Sequence, residues 1–286
     1  MSQKKSFCIA DVKMELSYPD SLQVEEAEGF RPFSAAEGNP DICIRFTPVS
    51  ELPPAGENEL SCQREYSVFL GERGETKLFR DSAKGSRPYA AVCPDWDNGR
   101  CSVFYLPGAE ANFTTVTSCF RHIGFEALMM SRGRLLLHSS LVETPLGGIL
   151  FSGISGIGKS TQAELWHRCE GSRIINGDRP ILYQGKNGWL ACGSPYAGSS
   201  KYFVNQTVPI FAILLLEQGT ACRLCPVTGA EAFQKLYAGT VVNTWNREYV
   251  SRTCDLLTDL VARIPVFNFC CTPDEKAVTF LKKELF

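Results

Sequence analysis

The chain has 286 residues, of which 44% are hydrophobic and 21% are charged, and its formal net charge is −2. This composition is typical of a globular protein with a substantial core, long enough for one large domain or two ordinary ones. Such a balanced charge disfavours nucleic acid or an anionic membrane surface as a partner, and the longest apolar run, 208–217, is too short to span a bilayer, which takes about 20 residues. We therefore expect no nucleic-acid partner and no membrane partner.

The N-terminal sequence and the cysteines predict a cytoplasmic protein. Lys4-Lys5 is followed by no long apolar run, so we expect no signal peptide. Without a secretory signal, the thirteen cysteines are expected to be reduced and mostly buried as small apolar residues. The spacings Cys222-Arg-Leu-Cys225 and Cys270-Cys271 lack the second ligand pair that a zinc site needs, and the three histidines are scattered. We predict no zinc site.

The first part of the chain, residues 1–132, predicts a β-rich domain. Apolar and polar residues alternate over 41–46, which indicates a strand with one buried face. Residues 64–81 predict two short strands around a glycine-containing turn. The dipeptide Asn98-Gly99 stands between two apolar runs, which is typical of a β-hairpin.

A connecting helix is predicted next, from about residue 110 to Gly133. Its apolar residues recur at the spacing of one helix face. They are Phe113, Val116, Phe120, Ile123 and Leu128. The helix would close the first domain, to which we assign recognition of an acceptor.

Residues 133–286 predict an α/β domain. Apolar runs at 134–143 and 147–153 predict strands, and a helix then extends to His167. The other predicted elements are a strand at 172–177, a hairpin at 181–192 with Asn187-Gly188 as its turn, a buried strand at 208–216, helices at 230–238 and 248–264, and a strand at 266–270.

A last helix is predicted to open at Thr272-Pro273-Asp274-Glu275. Thr272 and Glu275 match the pattern of a capping box, and Pro273 would stand at the first helical position. Strands joined by helices in this half, beside a separate β-rich half, indicate two domains.

The stretch from Gly153 to Ser160, GISGIGKS, matches the phosphate-binding pattern G-x-x-x-x-G-K-[ST] without a mismatch, between a predicted strand and a predicted helix. Glycines let backbone N–H groups approach phosphate oxygens, and the helix adds the positive end of its dipole. Lys159 would neutralise the β- and γ-phosphates, while Ser160 or Thr161 would supply a hydroxyl to Mg²⁺. The predicted nucleotide-binding residues are Gly153, Ser155, Gly156, Gly158, Lys159, Ser160 and Thr161, with ATP and Mg²⁺ as cofactors.

Phosphoryl transfer also needs a carboxylate that either holds Mg²⁺ or takes the proton of the acceptor. Asp178 is the predicted carboxylate, because it ends the strand that follows the predicted phosphate-loop helix. An aspartate that only forms a turn before Arg179-Pro180 is the alternative. His138 ends an apolar run fifteen residues before Gly153. Pairing of the two intervening strands would bring this histidine near the phosphates, and a histidine buried in the core is the alternative.

Four stretches, LLHSSLV, GGILFSGISGIGKSTQAELW, IINGDRPILY and GSPYAGSS, together resemble the kinase domain of HPr kinase/phosphorylase and its relatives. The resemblance covers residues 134–200. It implies a fold of the phosphoenolpyruvate-carboxykinase type. The acceptor in that family is typically a serine hydroxyl on a small protein, and relatives act on peptide tails or small molecules.

The resemblance also implies roles for individual residues. Lys159 would hold the β- and γ-phosphates, Ser160 would bind Mg²⁺, and Asp178 would be the general base and a second metal ligand. His138 matches the family histidine near the catalytic acid. The chain departs from the family at Gly177, where the first of two adjacent acids is usual, which removes one metal or water contact and bears on a reverse phosphorylase reaction more than on the kinase reaction. The C-terminal signature loop of the family is not found.

The segment Gly193–Lys201 is unusually rich in small and hydroxylated residues. A related GxPxxG element in HPr-kinase-like proteins favours a second anion-binding or substrate loop here, and a surface turn is the alternative. The predicted substrate residues are Ser199, Ser200 and Lys201.

The sequence therefore predicts a mixed α/β chain in which a β-rich domain precedes a kinase domain with a phosphate loop. Its predicted function is ATP- and Mg²⁺-dependent transfer of the γ-phosphate to a serine-like hydroxyl on a protein, a peptide or a small molecule. A nucleotide-binding regulatory module without transfer is the alternative. A carboxykinase acting on a small acid would need further basic and metal-binding side chains. The sequence leaves a homo-oligomer open.

Overall fold

The computed structural model describes residues 2–72, 74–81 and 87–285. The chain divides into two compact units, the first formed by Met1–Ser131 with Thr244–Arg247 and the second by Arg132–Asn243 with Glu248–Phe286. In the described part of the chain, no helix combines the length and the apolar character needed to cross a membrane.

The first unit is a mixed sheet with two short helices. Its strands are β1 (Ser2–Ile9), β2 (Val12–Pro19), β3 (Ile42–Pro48), β4 (Asn58–Cys62), β5 (Tyr66–Gly71), β6 (Gly74–Arg80), β7 (Pro88–Asp95) and β8 (Arg100–Tyr105). Its helices are α1 (Val116–Ile123) and α2 (Phe125–Ser131), with 3₁₀ turns at Arg31–Phe33 and Glu110–Phe113. The strand order is β1-β2-β3-β8-β7-β6-β5-β4, with parallel pairing at β2/β3 and β3/β8.

Two strand predictions in this unit are confirmed. Ile42, Ile44 and Phe46 of β3 are buried and alternate with exposed residues. Strands β7 and β8 form the predicted hairpin, with Asp95 opposite Arg100. Strands β5 and β6 also pair as predicted, and residue 73 in their turn lies outside the described residues.

The single connecting helix predicted over 110–133 is wrong. Gly124 has φ +85°, a left-handed conformation that ends α1 with its N–H bound to Phe120 O. The chain then starts again as α2. Phe120 of α1 stacks on Phe30 with ring centroids 4.8 Å apart, so the first helix still covers the core as its apolar face predicts.

The segment Thr244–Arg247 belongs to the first unit although the chain on both sides of it belongs to the second. Trp245 packs edge-on against Tyr66 at 6.3 Å between ring centroids, and the buried ammonium of Lys77 lies 5.7 Å from the Trp245 ring. The neighbouring Asn246 donates to Glu75 Oε2 at 3.3 Å. Together, these contacts join the segment to the first unit.

The second unit is also a mixed sheet covered by helices. Its strands are β9 (Arg134–Leu136), β10 (Ser139–Thr144), β11 (Gly147–Ser152), β12 (Ile174–Asn176), β13 (Ile181–Gly185), β14 (Gly188–Cys192), β15 (Thr207–Gln218), β16 (Arg223–Val227) and β17 (Val266–Cys271). Its helices are α3 (Lys159–Glu170), α4 (Gly229–Gly239), α5 (Arg247–Arg263) and α6 (Glu275–Leu285). The strand order is β12-β10-β11-β15-β14-β13-β9; β17 also pairs with β15, and β16 pairs with β17. Parallel pairing joins β11 to β15 and β15 to β17.

The core of this unit lies between the sheet and helices α3 and α6. Phe151 and Leu214 of the central strands pack with Trp166 of α3, Phe269 of β17 and Leu281 of α6, all at most 2% exposed. Burial of each such side chain contributes about 1.5–3 kcal/mol. This packing fixes α3 and the loop before it relative to β11.

The strand predicted over 134–143 is divided in the structure. Leu137 and His138 leave the sheet between β9 and β10, because Leu137 forms a bridge with Thr240 and His138 N–H donates to Gly239 O at 2.8 Å. The break places His138 immediately before β10 instead of inside a strand.

Two turn predictions need correction. The β13–β14 hairpin turns at Lys186-Asn187, with Gly185 opposite Gly188, instead of at Asn187-Gly188. Helix α6 begins at Glu275, two residues later than predicted, because Asp274 Oδ1 accepts from Lys276 N–H at 3.0 Å and also from the Thr272 hydroxyl. Asp274 therefore caps the helix in place of Thr272.

Candidate functional site

The glycine-rich loop joins β11 to α3 as its pattern requires. Gly153, Gly156 and Gly158 have φ angles of +148°, +79° and +114°, which side-chain-bearing residues rarely adopt. Among the described residues, no side chain caps the N-terminus of α3 at Gly158. The first-turn N–H groups and the positive end of the helix dipole are therefore available to an anion such as a phosphate.

Lys159 is held inside this loop. Its side chain is buried, and Nζ donates to Gly153 O at 3.1 Å and to Ile154 O at 2.9 Å. Burial lowers the pKa of Lys159, and the Asp178 carboxylate partly offsets this effect. Of the other predicted residues of the loop and the first turn, Ser155, Gly156, Ser160 and Thr161 are exposed, and Gly153 and Gly158 are partly exposed.

Backbone hydrogen bonds hold Asp178 beside the start of this loop. Ser139 pairs with Ser152, the last residue of β11, and the Ser139 N–H donates to Asp178 O at 2.9 Å. The fully buried Asn176 accepts from the N–H groups of Asp178 and Arg179 at 3.0 and 2.8 Å. The backbone that carries the Asp178 carboxylate is thus held at its carbonyl group by Ser139 and at its N–H group by Asn176.

Both carboxylate oxygens of Asp178 face a basic side chain. His138 Nε2 lies 3.1 Å from Oδ1, and Arg179 Nε lies 3.4 Å from Oδ2. The His138 backbone is itself fixed, because its carbonyl accepts from the Ser152 hydroxyl at 3.2 Å. The sequence-predicted His138, Lys159 and Asp178 are thereby brought into one charged cluster.

The pKa of His138 is lowered below its ordinary value. Partial burial is the largest cause, followed by the positive charge of Lys159, and Arg179 lowers it further, while Asp178 opposes the shift. The ring is therefore neutral at neutral pH. A neutral ring with its proton on Nε2 donates to Asp178 Oδ1 and orients that carboxylate.

The small-residue segment Gly193–Lys201 packs against the same cluster. A Cβ at Gly177 would overlap the side chain of Ser200, so the space beside Asp178 is occupied by that serine. A Cβ at Gly198 would lie 3.2 Å from Asp178 Cγ. The predicted substrate residues Ser199, Ser200 and Lys201 therefore lie in a segment that contacts the residues around Asp178.

Tyr202, one residue further along, connects this segment to the phosphate-loop helix. Its hydroxyl donates to Glu164 Oε1 of α3 at 2.8 Å. Lys201, between these two anchored residues, is exposed and has φ +58°. A left-handed lysine is uncommon and indicates that the surrounding contacts impose the backbone conformation.

Several residues of the site were missed by sequence reasoning. Asn176 carries a signal that could have been used, because an asparagine side chain commonly accepts a backbone N–H two residues further on in a turn. Ser139 and Gly198 carry no such signal, since their contacts depend on strand register and on the path of a distant loop.

The thirteen cysteines are all free thiols, and four of them are buried. The expectation that most are buried is therefore wrong. Burial raises the pKa of the Cys271 thiol to about 12. Within the described ranges, no group of three or more His, Cys, Asp or Glu side chains is arranged to hold a metal ion.

Comparisons with known proteins add little to this geometry. No protein-family model matches the chain, and no curated protein matches it in sequence. Among solved structures, the chain is similar to the HPr(Ser) kinase/phosphatase from Coxiella burnetii, at 12% identity over 52% of this chain and 94% of that one, with a TM-score of 0.32. This is a weak likeness of fold.

Proposed function

We propose that the chain is an ATP- and Mg²⁺-dependent phosphotransferase whose acceptor is a serine-like hydroxyl on a protein, a peptide or a small molecule. The observation that carries the proposal is the position of Asp178. One residue, Ser139, pairs with the end of the phosphate-loop strand and also binds the Asp178 backbone. A carboxylate is thus available next to a loop built for phosphate.

Each residue then has a role in the transfer. The loop amides and Lys159 bind the β- and γ-phosphates and stabilise charge on the leaving β-phosphate oxygen. Asp178 takes the proton of the acceptor hydroxyl. The oxygen of that hydroxyl forms a bond to the γ-phosphorus, while the bond between the γ-phosphorus and the β-phosphate oxygen breaks and ADP is released. His138 keeps the carboxylate oriented through its bond to Oδ1.

The donor atoms present fit a magnesium ion. Mg²⁺ prefers hydroxyl and carboxylate oxygens together with substrate phosphates, and the exposed Ser160 and the partly exposed Asp178 offer such oxygens. These two residues would hold the ion, which neutralises charge on the β- and γ-phosphates when bound.

A regulatory module that binds nucleotide without transfer is the second candidate. It is favoured by Gly177, because this glycine leaves Asp178 as the one carboxylate at the end of β12 and Ser200 occupies the neighbouring space. Such a module would use the same loop and would need no base.

The two candidates are distinguished by incubating the chain with γ-labelled ATP, Mg²⁺ and serine-bearing peptides. We expect label transfer in the wild type and a loss of about a hundredfold or more in Asp178→Asn, with ATP binding retained. Asp255→Asn, an exposed aspartate on α5, is the matched control and should transfer normally. ATP binding without transfer to any acceptor would support the regulatory module instead.

A further inference from the structure

Two cationic side chains, Lys159 and Arg179, lie near the carboxylate of Asp178. Arg179 Nε is 3.4 Å from Asp178 Oδ2, and the charge of Lys159 acts on His138, the partner of Oδ1. Lys159 lies within the phosphate loop, which assigns its charge to the nucleotide. Arg179 is not part of that loop, and its guanidinium pairs with Asp178 through Nε.

Arg179 is presented to solvent by a fixed backbone. Its N–H is bound by Asn176 Oδ1 at 2.8 Å, its Nε lies 3.4 Å from Asp178 Oδ2, and its side chain is 47% exposed. Within the described part of the chain, its two terminal nitrogens have no hydrogen-bond partner. A guanidinium in this state still offers a planar pair of donors, which suits a carboxylate or a phosphate.

Lys201 supplies a second cation in the segment that contacts Asp178. It is exposed, it forms no ion pair with any described residue, and its backbone is held in the left-handed region at φ +58°. The contact of Ser200 with Gly177 and the bond from Tyr202 to Glu164 fix the residues on either side. These two contacts hold the backbone at Lys201 in place, so the segment presents this exposed side chain from a defined position.

We propose that Arg179 and Lys201 recognise an anionic group on the acceptor, so that the substrate class of this site is a compound whose hydroxyl lies beside a carboxylate or a phosphate. This inference rests on the proposed phosphotransfer. An anion bound by the terminal nitrogens of Arg179 would place the neighbouring hydroxyl at the base, and the two cations would offset its repulsion by the Asp178 charge. Acceptors with a basic group in that place would be rejected by like-charge repulsion.

The test uses the wild-type chain with γ-labelled ATP, Mg²⁺ and capped Ala-Ser-X-Ala-Ala peptides, where X is Glu, Gln, Lys or phosphoserine. We expect kcat/KM to be at least tenfold higher for Glu or phosphoserine than for Gln, and lowest for Lys. The Glu and phosphoserine arms distinguish a carboxylate from a phosphate. Arg179→Gln and Lys201→Glu should each reduce this preference at least tenfold. Lys186→Glu, in the exposed β13–β14 turn, is the matched control and should keep it.

A second readout measures equilibrium binding of the same peptides to the chain loaded with a non-hydrolysable ATP analogue. Equal kcat/KM and equal Kd for the Glu, Gln and Lys peptides would overturn the inference and leave the proposed function intact. Selective binding of the acidic peptides without transfer would support anion recognition and count against the phosphotransferase. Circular dichroism of each variant separates a loss of selectivity from a loss of folding, and Lys201→Glu provides the answer if Arg179→Gln does not fold.

Discussion

Ser200 occupies the space that a side chain on residue 177 would need. A Cβ at Gly177 would overlap Cβ and Oγ of Ser200, whose hydroxyl donates to Ala197 O at 2.6 Å and cannot move without breaking that bond. Glycine at position 177, where an acid would need this space, therefore leaves room for Ser200. The two residues fit together next to Asp178.

This pairing predicts that Gly177→Ala reduces phosphoryl transfer, because the new methyl group displaces Ser200 and with it the segment against Asp178. The double variant Gly177→Ala/Ser200→Gly should recover most of the activity, since the second change removes the overlapping atoms. Steady-state transfer rates in a double-mutant cycle measure this coupling.

Gly38→Ala is the matched control for this cycle, because nothing lies within 4 Å of a Cβ at that position. It should leave transfer unchanged. A double variant no more active than Gly177→Ala alone would contradict the proposed pairing of residues 177 and 200.

Lys159→Met should weaken ATP binding by about tenfold or more, because hydrogen bonds to charged groups contribute about 1.5–3 kcal/mol. The methionine retains much of the buried stem but loses the ammonium that now donates to Gly153 O and Ile154 O. Titration calorimetry with ATP measures the change. Lys186→Met on the exposed hairpin turn should bind ATP as the wild type does. If Lys159→Met also binds ATP with unchanged affinity, the nucleotide does not bind at this loop.

The acid side of the activity profile should depend on His138. Its pKa lies below the ordinary value of 6.5, so the ring becomes charged only as the pH falls below that value. The charged ring forms an ion pair with the Asp178 carboxylate, which then has to be broken or shared when the acceptor hydroxyl binds, so kcat/KM should fall in this range. In His138→Gln this titration is absent, and the acid limb should move to lower pH.

Rates measured between pH 5 and 8 test the role of His138. His167→Gln, an exposed histidine of α3, serves as the control and should keep the wild-type profile. If His138→Gln has the same acid limb as the wild type, then another group controls it.

Acid should also weaken the first unit through His122. Its ring is 2% exposed, with Nδ1 2.7 Å from Ser118 O and Nε2 2.9 Å from the Tyr89 hydroxyl, and burial lowers its pKa. The unfolded chain binds a proton at this residue below about pH 6.5, whereas the folded chain does so only at lower pH. The free energy of unfolding should therefore fall as the pH drops below about 6.5, by at most about 1.4 kcal/mol per pH unit from this residue.

Urea unfolding of wild type and His122→Gln at pH 7.5, 6.5 and 5.5 measures this contribution. The variant should be less stable at pH 7.5 but show a smaller loss on acidification. Equal losses in both proteins would show that His122 contributes no pH dependence.

Local patterns in the sequence predicted several strands and the position of the glycine-rich loop between a strand and a helix. The alternation in β3 and the glycine-rich loop act over a few residues, so they can be read directly from the sequence. The division of 134–143 could not be predicted, because a bond from His138 to Gly239, about a hundred residues away, removes the chain from the sheet. The contacts of Ser200 and Gly198 with the Asp178 region likewise depend on tertiary structure.

The segment around Trp245 limits how the N-terminal part of the chain can be replaced by recombination with another gene. The chain passes between the units after Ser131, after Asn243 and after Arg247, so neither unit corresponds to one continuous stretch of the gene. A fragment beginning at residue 132 would retain Trp245 and lose Tyr66 and Lys77, which contact its indole ring. Recombination that replaces the N-terminal half must therefore also replace the residues at 244–247. A substitution in this segment likewise limits which substitutions are tolerated in the residues of the first unit that contact it.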